Sequence, residues 1–172
     1  MLTELNLRNY AIIESLSLKF SKGLNIITGE TGTGKSIIID AVNIILGDRT
    51  GSDIIKTGQS EAVIEAVFDL EGRNDLLDLL QSHGIPDNES GLVIRRIISG
   101  DGRSRVYIND TAATIKFLSK ITEELIDIFS QHEHQSLLKE KNHIKYLDLY
   151  MDNNELKDKY KLLYEEYKNI NI

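Results

Sequence analysis

The chain has 172 residues, 41% of them hydrophobic, with 20 basic against 27 acidic side chains, a net charge of −7 and no cysteine. That length and apolar share suffice for one sizeable core, while the lack of cysteine excludes disulfides and thiolate metal sites. The acidic balance excludes a surface coated in positive charge, so any nucleic-acid contact has to be a local basic patch.

In chain order, residues 2–10 and 12–20 read as two short strands, and Ser21-Lys22-Gly23 as the turn into a third strand over Leu24 to Thr28. Residues 29–36 then spell Gly29-Glu30-Thr31-Gly32-Thr33-Gly34-Lys35-Ser36. This is a G-x-x-x-x-G-K-S phosphate loop, set between that strand and the helix-like apolar run Ile37 to Leu46. The residue types follow from the chemistry. Glycines let successive backbone N–H groups approach an anion without a Cβ in the way. The Lys35 ammonium reaches β- and γ-phosphate oxygens, the Ser36 hydroxyl ligates a bridging Mg²⁺, and the helix beginning near Gly34 aims its positive end at the same place. The loop alone predicts a Mg-nucleoside triphosphate without choosing the base.

The apolar run Ile37 to Leu46 is too short to span a bilayer and contains Asp40 and Asn43. Residues 1–20 carry Glu4 and Glu14 and lack the basic-then-apolar start of a secretory signal, so a cytoplasmic location is expected.

Gly47 to Gly51 breaks the helical pattern, residues 62–70 return to strand character, and residues 74–83 read as a helix. Leu92 to Ser99 and Arg103 to Asn109 flank Gly100-Asp101-Gly102, a strong hairpin signal because glycine and aspartate accept positive φ. A helix is expected over 111–121, capped by Asp110 or Thr111, then an apolar strand Glu124 to Phe129 ending at Gln131-His132-Glu133-His134-Gln135. Two imidazoles and a carboxylate in that run invite a zinc reading, but no third or fourth ligand position accompanies them.

From residue 144 the pattern changes. Leu149, Leu156, Leu163 and Ile170 recur every seven residues, with Tyr146, Tyr160 and Tyr167 at the complementary position and Asn153 breaking that series. Over 139–172 seven lysines offset seven acidic residues, so the whole of the net charge belongs to the preceding body. The pattern reads as the start of a coiled coil, the alternative being one amphipathic helix docked on the domain. Two parts are expected, a body over 1–143 and the beginning of an arm over 144–172, with the chain cut from a longer protein.

An ATPase of this kind needs a carboxylate at a strand end to hold Mg²⁺, usually with a glutamate to polarise the attacking water. No such pair is evident. Asp69 and Asp127 are the weak candidates, against a purely structural role for both. The chain alone is expected to bind nucleotide better than it hydrolyses it.

Four segments together resemble the RecN family of bacterial DNA repair ATPases, which are related to SMC proteins. They are Leu5-Asn6-Leu7-Arg8-Asn9-Tyr10-Ala11-Ile12-Ile13-Glu14, Thr28 to Ser36, Leu46-Gly47-Asp48-Arg49, and Gln131 to Leu138. The resemblance runs from Met1 to about Tyr150, and the Gln131 to Gln135 run is its most specific part.

It implies an α/β P-loop ABC-type ATPase head, here its amino-terminal lobe, with a mixed β-sheet, an antiparallel hairpin subdomain and the start of an antiparallel coiled coil. It further implies ATP and Mg²⁺ as ligands and a site completed by the carboxyl-terminal head half and a second, homodimeric head. Activity in recombinational repair of DNA double-strand breaks, DNA as partner and nucleoid association are likewise implied, with no membrane role. The acidic pair and the serine-glycine-rich signature loop would lie beyond Ile172.

On this reading Gln131 takes the Q-loop role, ligating Mg²⁺ alongside Ser36 and sensing the γ-phosphate, with Gln135 the alternative. Lys35 and Gln131 are the catalytic pair. Glu30, Thr31, Gly32, Thr33, Gly34, Lys35, Ser36 and Ile37 line the nucleotide with Arg8 and Asn9 at a strand end. Tyr10 is either a base-stacking or a core aromatic. The chain departs from the family pattern at Thr33, where alanine is common, at Phe129-Ser130, which stand for histidine-glycine, and at Asp110, where glycine is usual.

Arg95, Arg96, Arg103 and Arg105 cluster around the expected hairpin, with Lys116 and Lys120 on the next helix. They either neutralise DNA phosphates or pair with neighbouring acids and brace the head. The competing functional readings are another ABC-type ATPase subunit and a non-catalytic dimerisation module. Transporter subunits place the Q-loop glutamine much closer to the phosphate loop.

Overall fold

A computed structural model describes residues 1–29, 34–88, 91–123, 125–126, 140–151 and 154–170. It divides into two compact units, Met1–Ile126 and Asp127–Ile172.

The first unit is built on a six-stranded sheet in the order β2-β1-β3-β4-β5-β6. The strands are β1 Leu2–Tyr10, β2 Ile13–Lys19, β3 Glu61–Phe68, β4 Leu92–Ser99, β5 Ser104–Ile108 and β6 Thr111–Ala113, and all five pairings are antiparallel. Period-2 alternation decides the faces. Leu5, Leu7, Ile64, Phe68, Ile94, Ile98 and Ile108 point into the core. Three helices add to that core: α1 Lys35–Ile45 through Ala41, Ile44 and Ile45, α2 Asn74–Ser82 through Leu76 and Leu80, and α3 Ile115–Thr122 through Leu118 and Ile121. Helix α1 lies against β3 and β4.

On the opposite face a polar ladder crosses the strands at one register level, where Ser17, Asn6, Glu65 and Arg95 are successive partners. Asn6 Nδ2 donates to Glu4 Oε1 at 2.9 Å, and Arg95 Nε donates to Glu65 Oε2 at 2.7 Å. Arg95 Nη1 also lies 3.1 Å from Asp110 Oδ1. Asp110 and its neighbour Asn109 both have positive φ, 59° and 45°, in the tight turn joining β5 to β6. Aspartate therefore performs the turn that glycine would have made, and its carboxylate pairs with Arg95 as well.

Two sequence expectations are corrected. Leu24 to Thr28 is not a strand: Leu24 is 87% and Ile26 74% exposed, because no strand among the described residues pairs with that segment. The helix expected over 111–121 begins only at Ile115, since residues 111–113 pair with β5 as β6. Its cap is Thr114, whose Oγ1 accepts from the Phe117 N–H at 3.2 Å. The strand expected over Glu124 to Phe129 lies outside the described residues except for Leu125 and Ile126, whose N–H groups donate to the Thr122 carbonyl in a turn extending α3.

The described residues of the second unit form the helices α4 Glu140–Met151 and α5 Asn154–Ile170. Leu156, Leu163 and Ile170 of the heptad series are exposed along α5, as are Tyr160 and Tyr167. Tyr160 and Tyr164 stack with ring centroids 6.0 Å apart. Asn153 and the side chains of Tyr146 and Leu149 lie outside the described residues. No helix among the described residues is long and apolar enough to cross a membrane.

Candidate nucleotide site

The site is assembled at the start of α1. Gly34 precedes the helix with φ +96°, a left-handed conformation open to glycine and strained for other residues. That turn swings the chain into the helix, and the Ile38 N–H donates to the Gly34 carbonyl at 3.2 Å. Lys35 and Ser36 form the first helical turn, with no acidic residue among the first positions to oppose an anion there. The Lys35 ammonium donates to the Gly29 carbonyl, folding back toward the upstream end of the phosphate loop. Ser36 is exposed, whereas Ile37 packs on the core edge. An ammonium, a hydroxyl and a helix N-terminus at one place suit a magnesium-bound polyphosphate.

Beside this turn is a groove of about 400 Å³ lined by Ile12, Ile13, Glu14, Ser15, Leu16 and Leu18 together with Gly34 and Ile38. Ser15 is the register partner of Arg8, so the end of β1 that carries Arg8 lies next to the groove wall. Arg8 is exposed, and Asn9 turns with φ 52°. A strap holds that end in place: the Lys56 N–H donates to the Asn9 carbonyl at 2.9 Å, and the Ala11 N–H donates to the Ile54 carbonyl at 2.7 Å. Tyr10 is 3% exposed and belongs to the core. Burial first, then the carboxylates of Asp40 and Asp53, push its phenol up to about 12. Glu30, Thr31, Gly32, Thr33 and Gln131, with Gln135 and the His132 to His134 run, lie outside the described residues, as does Asp127.

Asp69 sits at the other end of β1 from Arg8, six residues and therefore about 20 Å away along the strand. Its Oδ1 accepts from the Glu71 N–H at 2.9 Å and its carbonyl accepts from the amino terminus at 2.5 Å, so it closes a turn.

The four arginines of the basic cluster are all engaged. Arg95 pairs with Glu65 and Asp110, Arg103 lies 3.3 Å from Asp101, and Arg105 lies 3.4 Å from Glu61. Arg96 differs from the other three in being wholly buried. Sequence reasoning grouped it with the surface patch and missed this. The signal was present, because Leu92, Ile94, Arg96 and Ile98 occupy alternate, inward positions of β4.

A model of the RecF/RecN/SMC N-terminal domain matches residues 1–130. The DNA repair protein RecN of Halalkalibacterium halodurans is 40% identical over 169 residues, which is 97% of this chain and 30% of that protein. RecN of Bacillus subtilis is 41% identical over 148 residues, 86% of this chain and 26% of the relative. The chain thus spans under a third of the length of these curated relatives. Among solved structures, one from work on ATP-driven dimerisation and DNA-stimulated activation of SMC ATPases superposes with a TM-score of 0.56 at 29% identity, covering 70% of this chain and 76% of that one. With its antiparallel sheet, its helix led by Gly34-Lys35-Ser36 and this match over three quarters of its length, the chain belongs to the RecF/RecN/SMC N-terminal domain family.

Proposed function

We propose that this chain is the ATP-binding amino-terminal part of the head of a RecN-like ATPase acting in repair of DNA double-strand breaks. The observation that carries this reading is the Gly34-Lys35-Ser36 turn opening α1 beside the groove, in a chain of this family. Gly29 to Gly34 cradle the phosphates, Lys35 neutralises the β- and γ-oxygens, and Ser36 holds Mg²⁺ with Gln131 as its second protein ligand. Arg8, Asn9 and Ile37 bound the nucleotide, and Gln131 orients the attacking water. ATP supplies a phosphoryl group whose transfer these residues position; hydrolysis needs the carboxyl-terminal head half and a second head. Exposed Leu24, Ile26 and Ile27 support that completion, since they form an apolar segment with the composition of a strand and, among the described residues, no strand beside it. The arm boundary lies near residue 143, the protein works in the cytoplasm on the nucleoid, and DNA is its partner.

Calorimetric titration with Mg-ATP tests the reading. The chain should bind, Lys35→Ala should lose at least about tenfold in affinity, and turnover should stay near background until the complementary half of a RecN head is added. Failure of the unmodified chain to bind Mg-ATP refutes it. Substantial turnover by the chain alone refutes the composite site.

A further inference from the structure

Arg96 stands on the inward face of β4, 0% exposed, where Leu92, Ile94 and Ile98 are its apolar companions. Burying a guanidinium is costly unless its donors find acceptors, and a branched aliphatic side chain at this position would avoid that cost. Three of its five N–H donors are matched to acceptors on three different segments. Nη1 donates to the Ile44 carbonyl at 2.6 Å and to the Asp48 carbonyl at 2.7 Å, and Nη2 donates to Ser104 Oγ at 2.7 Å. Only Nε is buried without a hydrogen-bond partner among the described residues. Ile44 lies in the last turn of α1, Asp48 just beyond it, and Ser104 opens β5. One side chain therefore ties the rear of the phosphate-loop helix to both strands of the β4–β5 hairpin. A cation at a helix C-terminus is favourable to the helix dipole, whose other end faces the phosphates. The rest of that rear end is pinned as well: Thr122 Oγ1 donates to the Leu46 carbonyl at 2.8 Å, and Gly47 passes close over Ser119.

We propose that Arg96 is a positioning residue for the nucleotide site, a buried strut that holds the rear of α1 on the β4–β5 hairpin and thereby sets where Lys35 and Ser36 stand. Helix α1 has 11 residues, so the strut acts from about 16 Å behind the phosphates through a rigid element. The β4–β5 hairpin and the rear of the helix that opens at the nucleotide turn are thereby joined through one buried side chain. The inference rests on the nucleotide reading above.

The test measures Mg-ATP affinity and amide hydrogen exchange on the same proteins, well below each unfolding midpoint. In Arg96→Met, Mg-ATP should bind about tenfold or more weakly, with α1 amides exchanging faster while those of β1 and β3 exchange as before. Arg96→Lys should recover part of both, and Ser104→Ala, which removes only the Nη2 partner, should weaken binding by about threefold. A residue that merely stabilised the fold would lower the midpoint, leave affinity unchanged and speed exchange uniformly, and that result overturns the proposal. If Arg96→Met does not fold, unchanged affinity and α1 exchange in both Arg96→Lys and Ser104→Ala overturn it equally. If the unmodified chain binds no Mg-ATP, the nucleotide reading fails first, and selective or uniform exchange in α1 decides the strut independently.

Discussion

Gly47 and Gly34 bracket α1, and alanine at each separates two energetic terms at the ends of the helix that opens at the candidate site. Gly47 has φ +112°, and a Cβ built there would meet Ser119 Oγ at 2.3 Å, with the Ser119 Cβ at 3.4 Å and Cα at 3.5 Å behind it. Gly34 has φ +96° with nothing within 4 Å of its Cβ position. Forcing alanine into this backbone region costs about 1–3 kcal/mol at either position. At Gly47 the Ser119 hydroxyl must also rotate away, adding about 0.5–1.5 kcal/mol. Gly47→Ala should therefore lower unfolding free energy by about 1.5–4.5 kcal/mol and Gly34→Ala by about 1–3 kcal/mol, the backbone term dominating both. Urea unfolding followed by circular dichroism measures this. Adding Ser119→Ala should restore the contact part at Gly47 and nothing at Gly34. A Gly47→Ala cost below about 1 kcal/mol, or no coupling to Ser119, would refute the reasoning.

Tyr10 supplies a pH dependence. Its phenol is raised from 10.0 to about 12 in the fold, so the folded state keeps a proton that the unfolded chain releases. Stability is intact below pH 10 and falls by about 2 kcal/mol as pH rises toward 12, a decline that Tyr10→Phe should lack when urea midpoints are compared across that range. Thr114→Ala removes the cap of α3 and should cost about 1 kcal/mol in the same assay, with Thr114→Ser restoring most of it. A double-mutant cycle on Arg95 and Glu65, a half-exposed pair, should give coupling of only about 0.5–1 kcal/mol, and a value near zero would mean that the ladder is ornamental to stability. For DNA, Arg103→Ala with Arg105→Ala should weaken duplex binding and flatten its salt dependence while leaving the unfolding midpoint in place, because both side chains are exposed. Fluorescence anisotropy across a salt series reads that out, and an unchanged slope would return both arginines to a bracing role.

Local rules made much of this protein legible from its residues. Alternating patterns placed β1, β3 and β4, the Gly100-Asp101-Gly102 turn placed the hairpin, and the phosphate-loop spacing placed the helix that begins at Lys35, because each depends on neighbours within a few residues. The resemblance carried by Leu5 to Glu14 and Leu46 to Arg49 anticipated the family that the domain match established. Other features depended on partners far along the chain. Leu24 to Thr28 has the composition of a strand, yet strands exist only when paired, and no described strand lies beside it. Residues 111–113 have helical neighbours but were claimed by the free edge of β5. The four arginines look alike in sequence; only the sheet face decides that Arg95 joins a surface ladder while Arg96, one residue on, is buried under α1 with carbonyls for partners. Sequence by itself marks the residues expected to meet a phosphate, since that motif is contiguous from Gly29 to Ser36. Only the tertiary structure decided what ties down the rear of the helix that follows them, since the hydrogen bond from Arg96 to Ile44 joins residues 52 positions apart.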